Sequence, residues 1–402
     1  MAELHLCSPL GFKASGVYAG IKSKEAPDVG MIVCDTTATA AAVFTTNKVV
    51  AAPLIIGREN IARGKLRGIV VNAGNANACT GKQGLHDARQ MCHLAGIAVG
   101  CDENLILPSS TGIIGHLMPM EKIERGIAHA AHALGSDREH SLHFSDAILT
   151  TDLTRKEAAT TFKLGRSKIT LAGVCKGSGM IGPRMALPHA TMLGYLTTDA
   201  GITPGLLRKL LGAAAEDSFN AVTVDDHTST NDTCAILASG ASNAKINSPR
   251  AVKAFTNALN EVCQSLAYQI AADGEGATKV VTIQVEGATT EAAAKTIART
   301  IANSPLVKCA MNGNDPNWGR IVSAAGYAGV PFDPDKSTLT LQGVVVFRHG
   351  RPVPFDAEKL SDALKVPEVR VLLSCRLGKA KATCWTCDFS KEYVTINADY
   401  HT

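Results

Sequence analysis

Aromatic residues are scarce in this 402-residue chain, 4% of the total with only 2 Trp and 6 Tyr, whereas glycine reaches 36. Small and aliphatic side chains must therefore do most of the packing, around many tight backbone turns. Charge is thin as well. Asp, Glu, Lys and Arg make up 19% of the chain, below the ~25% of ordinary soluble domains. Lys+Arg 40 against Asp+Glu 36 leaves a net charge of +4. No basic block or aromatic-interleaved stripe occurs, which argues against a nucleic-acid partner. Long apolar runs are missing too: nothing reaches the ~18 consecutive apolar residues of a membrane span. The charge-free segment 104–120 is broken by Pro108, two serines and two glycines, and it reads as a strand followed by a loop. The N-terminal MAELHLCSPLGF has no basic segment followed by an apolar run. The expectation is a cytoplasmic protein without a signal peptide.

What is present is a hydrophobic fraction of 46%, enough for a large core in a chain longer than one ordinary domain. The 12 cysteines are scattered, which suits reduced, mostly buried thiols better than a disulfide framework. Cys384 and Cys387 form a close pair, but no second pair stands at zinc-site spacing, and the alternation over Thr383–Thr395 reads as strand. The acidic run Asp225–Asp232 is read as a carboxylate-rich turn before a strand, so no metal site is expected.

Helical and strand patterns alternate, which predicts an α/β protein. Asp28–Asp35 and Arg67–Asn72 are strand-like, and Pro119–Gly135 carries Ile123, Ile127, Ala130 and Leu134 at helical spacing. Thr161–Leu164 and Lys168–Val174 flank Gly165-Arg166 as a hairpin would. Thr203-Pro204 and Ser248-Pro249 have the form of an N-cap with proline in the first turn. Val280–Val285 and Leu339–Phe347 read as strands, and the last 35 residues or so as a strand meander. No repeat or low-complexity linker separates the halves.

The most informative stretch runs from Lys176 to Leu193. Gly177-x-Gly179-x-x-Gly182 matches the dinucleotide fingerprint, but Pro183 and Pro188 fall where the phosphate-binding helix would have to run. A second reading is a constrained loop presenting Thr191 Oγ to the Ala190 carbonyl. An N→O acyl shift followed by hydrolysis would then free an N-terminal Thr, whose α-amine, with a pKa of about 7.7–8.0, can take the hydroxyl proton. Residues alone leave both readings open.

Several further motifs stand in order along the chain: Gly11-Phe-Lys-Ala-Ser-Gly-Val-Tyr-Ala-Gly-Ile-Lys22, Val70-Val-Asn-Ala-Gly-Asn-Ala-Asn-Ala-Cys-Thr-Gly81, Ser110-Thr-Gly-Ile-Ile-Gly115, Thr150-Thr-Asp152, Lys176-Gly-Ser-Gly-Met-Ile181 and Ala190-Thr-Met-Leu193. Thr228-Ser-Thr-Asn-Asp-Thr233, Asp273-Gly-Glu-Gly-Ala-Thr-Lys279, Asp315-Pro-Asn-Trp-Gly-Arg320 and Ile396-Asn-Ala-Asp-Tyr-His-Thr402 follow. Together they resemble the ornithine acetyltransferase (glutamate N-acetyltransferase) family of arginine biosynthesis, from about Gly11 to Thr402.

That resemblance implies a layered α-β-β-α sandwich with a smaller C-terminal lobe. It implies self-cleavage between Ala190 and Thr191 into an α chain, 1–190, and a β chain, 191–402, assembled as a dimer of αβ heterodimers. Thr191 would carry acetyl from N-acetylornithine to glutamate, with Thr111 and Gly112 as the oxyanion pair. Thr151, Lys176, Thr191, Glu275, Asn397 and Thr402 would contact substrate. No cofactor is implied, and acetyl-CoA as a second donor is left open. A related N-terminal-nucleophile amidase or aminopeptidase, or an uncleaved homologue, are the alternatives. Two departures stand out: Leu187-Pro-His-Ala190 lengthens the lysine-to-threonine separation, and Asp226-His227 stands where the family has Gly-Asp.

Overall fold

The computed structural model describes residues 3–183 and 192–399, so Ala190, Thr191 and Thr402 lie outside the described residues. The first sheet contains β1 (Phe12–Val17), β2 (Val29–Phe44), β3 (Lys65–Asn75), β4 (Ile106–Ile113), β5 (Lys156–Leu164), β6 (Ser167–Lys176), β7 (Leu193–Thr198) and, after β8 (Val222–Thr223), β9 (Thr233–Ala238). Their order is β4-β3-β2-β9-β7-β6-β5, with β1 pairing on β2. Four helices, α1 (Ala52–Ile61), α2 (Gly81–Val99), α3 (Met120–His132) and α4 (Arg138–Ile148), come before β5. Two more, α5 (Pro204–Glu216) and α6 (Pro249–Ala272), flank β8 and β9 in the chain.

The sheet folds over on itself at β2. This strand pairs with β3 through Val29–Val33, shifts register, pairs with β3 again at Ala38 and Thr39, and from Thr39 to Phe44 pairs with β9. The bulge leaves Asp35, Thr36 and Thr37 exposed, and such an irregularity lets one strand serve two layers. On both sides of the bend the even-numbered residues Ile32, Cys34, Ala38, Ala40, Ala42 and Phe44 face one core, shared with Ile69, Val71, Leu107, Tyr195 and Leu237. The odd-numbered Val29, Met31 and Val33 pack outward on Met91 of α2 and on Ile123 and Ile127 of α3. Ala41 and Val43 pack outward on Leu207 and Leu211 of α5, in a cluster that also holds Phe255 and Leu259 of α6. The period-two alternation of one strand thus builds both faces of an α-β-β-α sandwich.

The second sheet has the order β13-β12-β11-β14-β10-β15-β8. Its further strands are β10 (Val280–Ala288), β11 (Thr338–Leu341), β12 (Val344–Arg348), β13 (Arg351–Pro352), β14 (Glu368–Ser374) and β15 (Ala380–Cys387). Helices α7 (Glu291–Asn303), α8 (Pro305–Asn312) and α9 (Trp318–Gly326) cover one face through Ile297, Ile301, Met311 and Ile321. The short helix α10 (Ala357–Ala363) adds Leu360 to that core. Val280 and Cys387 join the cluster of α6, so α6 lies between the sandwich and the C-terminal lobe.

Most local expectations hold. The Gly165-Arg166 hairpin joins β5 to β6, and Ala251 N–H donates to the Ser248 hydroxyl at the start of α6 (3.2 Å). Thr203 precedes α5 but its side chain makes no capping bond. All the cysteines are free thiols, and among the described residues no helix is long and apolar enough to cross a membrane. Two expectations fail. Leu339–Phe347 is two strands, β11 and β12, joined at Gln342-Gly343 with φ of +47° and +80°, the left-handed pair that tight hairpins require. The terminal meander does not form: β14 and β15 do not pair with each other but flank β10 on either side, and Lys391–Asp399 is a helix, α11. Phe389 and Tyr393 stack at 4.9 Å, and Asn397 follows Tyr393 by one helical turn, a spacing that alternation obscured.

Candidate active site

The ends of the central strands open into one cleft. At its floor, β3 and β4 run parallel until the register shifts at Gly74 and Asn75, opposite Thr111 and Gly112. Gly112 has φ +129°, and a Cβ there would stand 2.4 Å from the Gly74 carbonyl carbon. Only glycine fits so close to the neighbouring backbone. The irregularity turns Thr111 and Gly112 toward the cleft. Asn231 locks this floor from the other β layer by donating through Nδ2 to the carbonyls of Ala76 (2.5 Å) and Ser110 (2.9 Å).

The wall is built by β6 and β7, which pair antiparallel with Lys176 opposite Leu193. Met192, the residue after Thr191, accepts a bond at its carbonyl from Thr233 N–H (2.5 Å). The ladder therefore brings Lys176 to the start of the β7 segment whatever the length of the connection between them. The pairing forms with residues 187–190, which the resemblance marks as additional, within that connection.

Lys176 is 9% exposed, and its Nζ lies 4.0 Å from Asp152 Oδ2. Asp152 in turn accepts from Lys156 Nζ (2.7 Å) and Gly177 N–H (2.6 Å). Lys156 Nζ also donates to Asp273 (2.5 Å), making a buried Asp–Lys–Asp bridge. Burial pushes the Asp152 carboxyl up, but Lys176 and Lys156 outweigh it and hold the group at about 2. Burial alone would lower Lys156; Asp152 and Asp273 overcome it and raise its pKa. Lys22, a half-buried lysine near Asp152, is pushed down to about 8 by desolvation.

Glu275 follows the end of α6 and is 8% exposed. Its N–H donates to the Ser178 carbonyl (3.0 Å), and its Oε2 accepts from Asn397 Nδ2 on α11 (2.9 Å). A Cβ on Gly179 would collide with this carboxylate at 2.3 Å, so a side chain there would displace Glu275. Asp225 accepts from the N–H groups of Met180 and Ile181, both at 2.8 Å, and fixes the cleft's rim.

The cleft, about 890 Å³ with its open mouth, is lined by Thr111, Gly112, Thr151, Lys176, Glu275 and Asn397, together with Met192 and Asp232. Six residues far apart in sequence thus meet in one place. Thr191 and Thr402 fall outside the described residues, although Thr191 is bonded directly to the wall residue Met192. The stretch 177–183 carries no helix, which removes the structural basis of the dinucleotide fingerprint. Among the described residues, no group of three His, Cys, Asp or Glu side chains could hold a metal ion.

Sequence reasoning passed over three acids. Asp152 had a readable signal, its i,i+4 relation to Lys156. Asp225 and Asp232 were hidden in an acidic run read as a turn. Asp232 is 2% exposed, and its Oδ2 has no hydrogen-bond partner among the described residues. Burial pushes its carboxyl well above the ordinary range, with Lys176 opposing.

A curated "Arginine biosynthesis bifunctional protein ArgJ" from Bacillus cereus is 46% identical over 400 residues, covering 99% of this chain and 97% of the relative. A solved chain of the protein of that name from Bacillus halodurans is 42% identical over 46% of this chain and 95% of its own, with a TM-score of 0.44. An ornithine acetyltransferase chain from Mycobacterium tuberculosis, solved with ornithine, is 32% identical over 45% of this chain and 96% of its own, with a TM-score of 0.43. The profile of the ArgJ family matches residues 13–402. With nearly the whole chain matched, and relatives this similar along their full length, the protein belongs to the ArgJ family.

Proposed function

We propose that this protein is the acetyltransferase of arginine biosynthesis that moves acetyl from N-acetylornithine to glutamate, after cutting itself between Ala190 and Thr191. The observation that carries the reading is the convergence of two β layers on one cleft. Thr111 and Gly112 come from one layer, and the strand that Thr191 leads into comes from the other, beside Lys176. The curated relatives, named as bifunctional enzymes of this biosynthesis, agree with it.

In the first half-reaction, Thr191 Oγ attacks the acetyl carbonyl carbon and its proton passes to the Thr191 α-amine. The oxyanion is stabilised by the Thr111 hydroxyl and the Gly112 N–H, preorganised by the β3–β4 irregularity. The C–N bond then breaks, the proton returns to the departing ornithine nitrogen, and acetyl remains as an ester on Thr191. In the second half-reaction the glutamate amine attacks that ester, Thr191 Oγ leaves and recovers a proton, and N-acetylglutamate is released. Lys176 offers a positive charge to a substrate carboxylate. Glu275, held by Asn397, suits the ornithine side-chain ammonium, and Thr151 and Thr402 complete the substrate contacts. The enzyme works in the cytoplasm as a dimer of αβ heterodimers.

Intact mass spectrometry of the purified protein tests this. Two chains meeting at Ala190/Thr191, and one uncut chain for Thr191→Ala, are expected. Incubation with N-acetylornithine alone should leave one acetyl on the chain beginning at Thr191, removable by glutamate. Release of acetate in place of N-acetylglutamate would point to a hydrolase. Acetyl-CoA in place of N-acetylornithine tests the second donor.

A further inference from the structure

Residues 180–183, immediately before the connection that is cut, are held at every position. Besides the two bonds to Asp225, the Ile181 carbonyl accepts from the N–H groups of Val224 (2.7 Å) and Asp225 (3.2 Å). The Gly182 carbonyl accepts from Thr228 Oγ1 (3.0 Å). Gly182 also lies flat against the backbone of Asp226, where a Cβ would come within 2.3 Å of the Asp226 carbonyl carbon. Finally, Arg299 on α7 reaches out of the C-terminal lobe and donates through Nη2 to the carbonyls of Pro183 and Asn220, both at 2.6 Å. Its Nη1 lies 3.3 Å from Asp226 Oδ1, and Asp226 is itself a non-glycine residue at φ +58°.

The downstream end is tied to the same stretch of chain, because Met192 is bonded to Thr233. Both ends of 184–191 are therefore referenced to the segment 223–233, with Arg299 as a bracket from outside it. An N→O acyl shift at Thr191 requires Oγ to meet the Ala190 carbonyl carbon, and fixing both ends of a short connection reduces the conformations it must search.

We propose that Arg299 is a positioning residue for self-cleavage. It anchors the upstream end of the scissile connection at Pro183 and afterwards keeps the new tail of the α chain docked on the β chain, so that Met180 and Ile181 stay in the cleft wall. This rests on the self-cleavage reading above. The C-terminal lobe then acts on processing through one guanidinium, far in sequence from the bond that breaks.

The test is a pulse of cell-free synthesis of the full chain, followed by the fraction cut over time. Arg299→Ala should slow cutting at least tenfold. Arg299→Lys should recover part of the rate by keeping one donor, and millimolar guanidinium should partly rescue the Ala variant, which a general folding defect would not allow. Thr228→Val, which removes a different bond of the same clamp, should slow cutting less. Hydrogen exchange in a Thr191→Ala background provides a readout independent of cleavage: Arg299→Ala should raise exchange at residues 180–182 while the thermal midpoint stays near that of the parent. Wild-type cutting rates in Arg299→Ala, or unchanged exchange at 180–182, would overturn the proposal. A wild-type chain that is never cut would defeat the processing reading, and the exchange measurement would still decide whether Arg299 anchors the segment.

Discussion

Two buried acids beside the same lysine respond to pH in opposite senses. Asp152, held at about 2 in the fold, has an unfolded reference near 3.9. A depressed carboxylate contributes stability that is present above the unfolded value and lost as pH falls through the folded one. About 2–3 kcal/mol should therefore disappear between roughly pH 4 and pH 2, and Asp152→Asn should flatten that part of the stability–pH curve. Asp232 is raised, so the native state holds its proton more tightly than the unfolded chain does. Its burial costs increasing stability as pH climbs above the ordinary carboxylate range. Asp232→Asn should raise the thermal midpoint more at pH 7–8 than at pH 4, and an equal shift at both would show that the carboxyl is not perturbed. Lys156→Met should be the most damaging change near the cleft, because Asp152 and Asp273 would remain buried without their shared cation; a loss of about 3–5 kcal/mol in denaturant unfolding is expected. Gly179→Ala separates binding from folding. The three atoms nearest its added methyl all belong to the Glu275 carboxylate, a side-chain end rather than backbone, so the fold should survive while KM for N-acetylornithine rises by tenfold or more.

Among the elements, those defined by short-range chemistry were legible: the Gly165-Arg166 hairpin, α3 and the Ser248 cap. What escaped depended on partners far away in sequence. The bend in β2 cannot be seen in Val29–Phe44 itself, which reads as continuous strand; it exists because β3 and β9 claim different halves. Helix α11 was mistaken for strand because Tyr393 and Asn397 take their meaning from Phe389 and Glu275. The six cleft residues carried no shared pattern, and only resemblance joined them; of the acids that support them, Asp152 stood unassigned within a motif, and Asp225 and Asp232 were read as a carboxylate-rich turn. The β3–β4 irregularity gives a further expectation. Gly112→Ala places a Cβ against the Gly74 backbone at a left-handed φ, so transfer activity should fall at least a hundredfold, with a measurable drop in thermal midpoint. Full activity in that variant would remove Gly112 from the oxyanion role.

At the scale of the molecule, the proposed cut at 190/191 falls between β6 and β7, which are hydrogen-bonded neighbours inside the first sheet. The two chains should therefore co-elute under native conditions and separate only in denaturant; dissociation in mild buffer would contradict the pairing. Arg299 and Asn231 add polar ties from the β chain to Pro183, Ala76 and Ser110 of the α chain. The same adjacency also bears on how such a protein could be made. Two genes encoding the halves separately would leave raw edges on both, at β2 and β6 of one and at β9 and β7 of the other, all open to mispairing. Synthesised as one polypeptide, the halves would meet at an effective concentration near the millimolar range of short tethers, and the proposed cut would sever that tether once the ladder had closed. If the proposed cut occurs, the segment just before Thr191 would serve as a single-use assembly jig, needed to bring the enzyme together and dispensable once it stands.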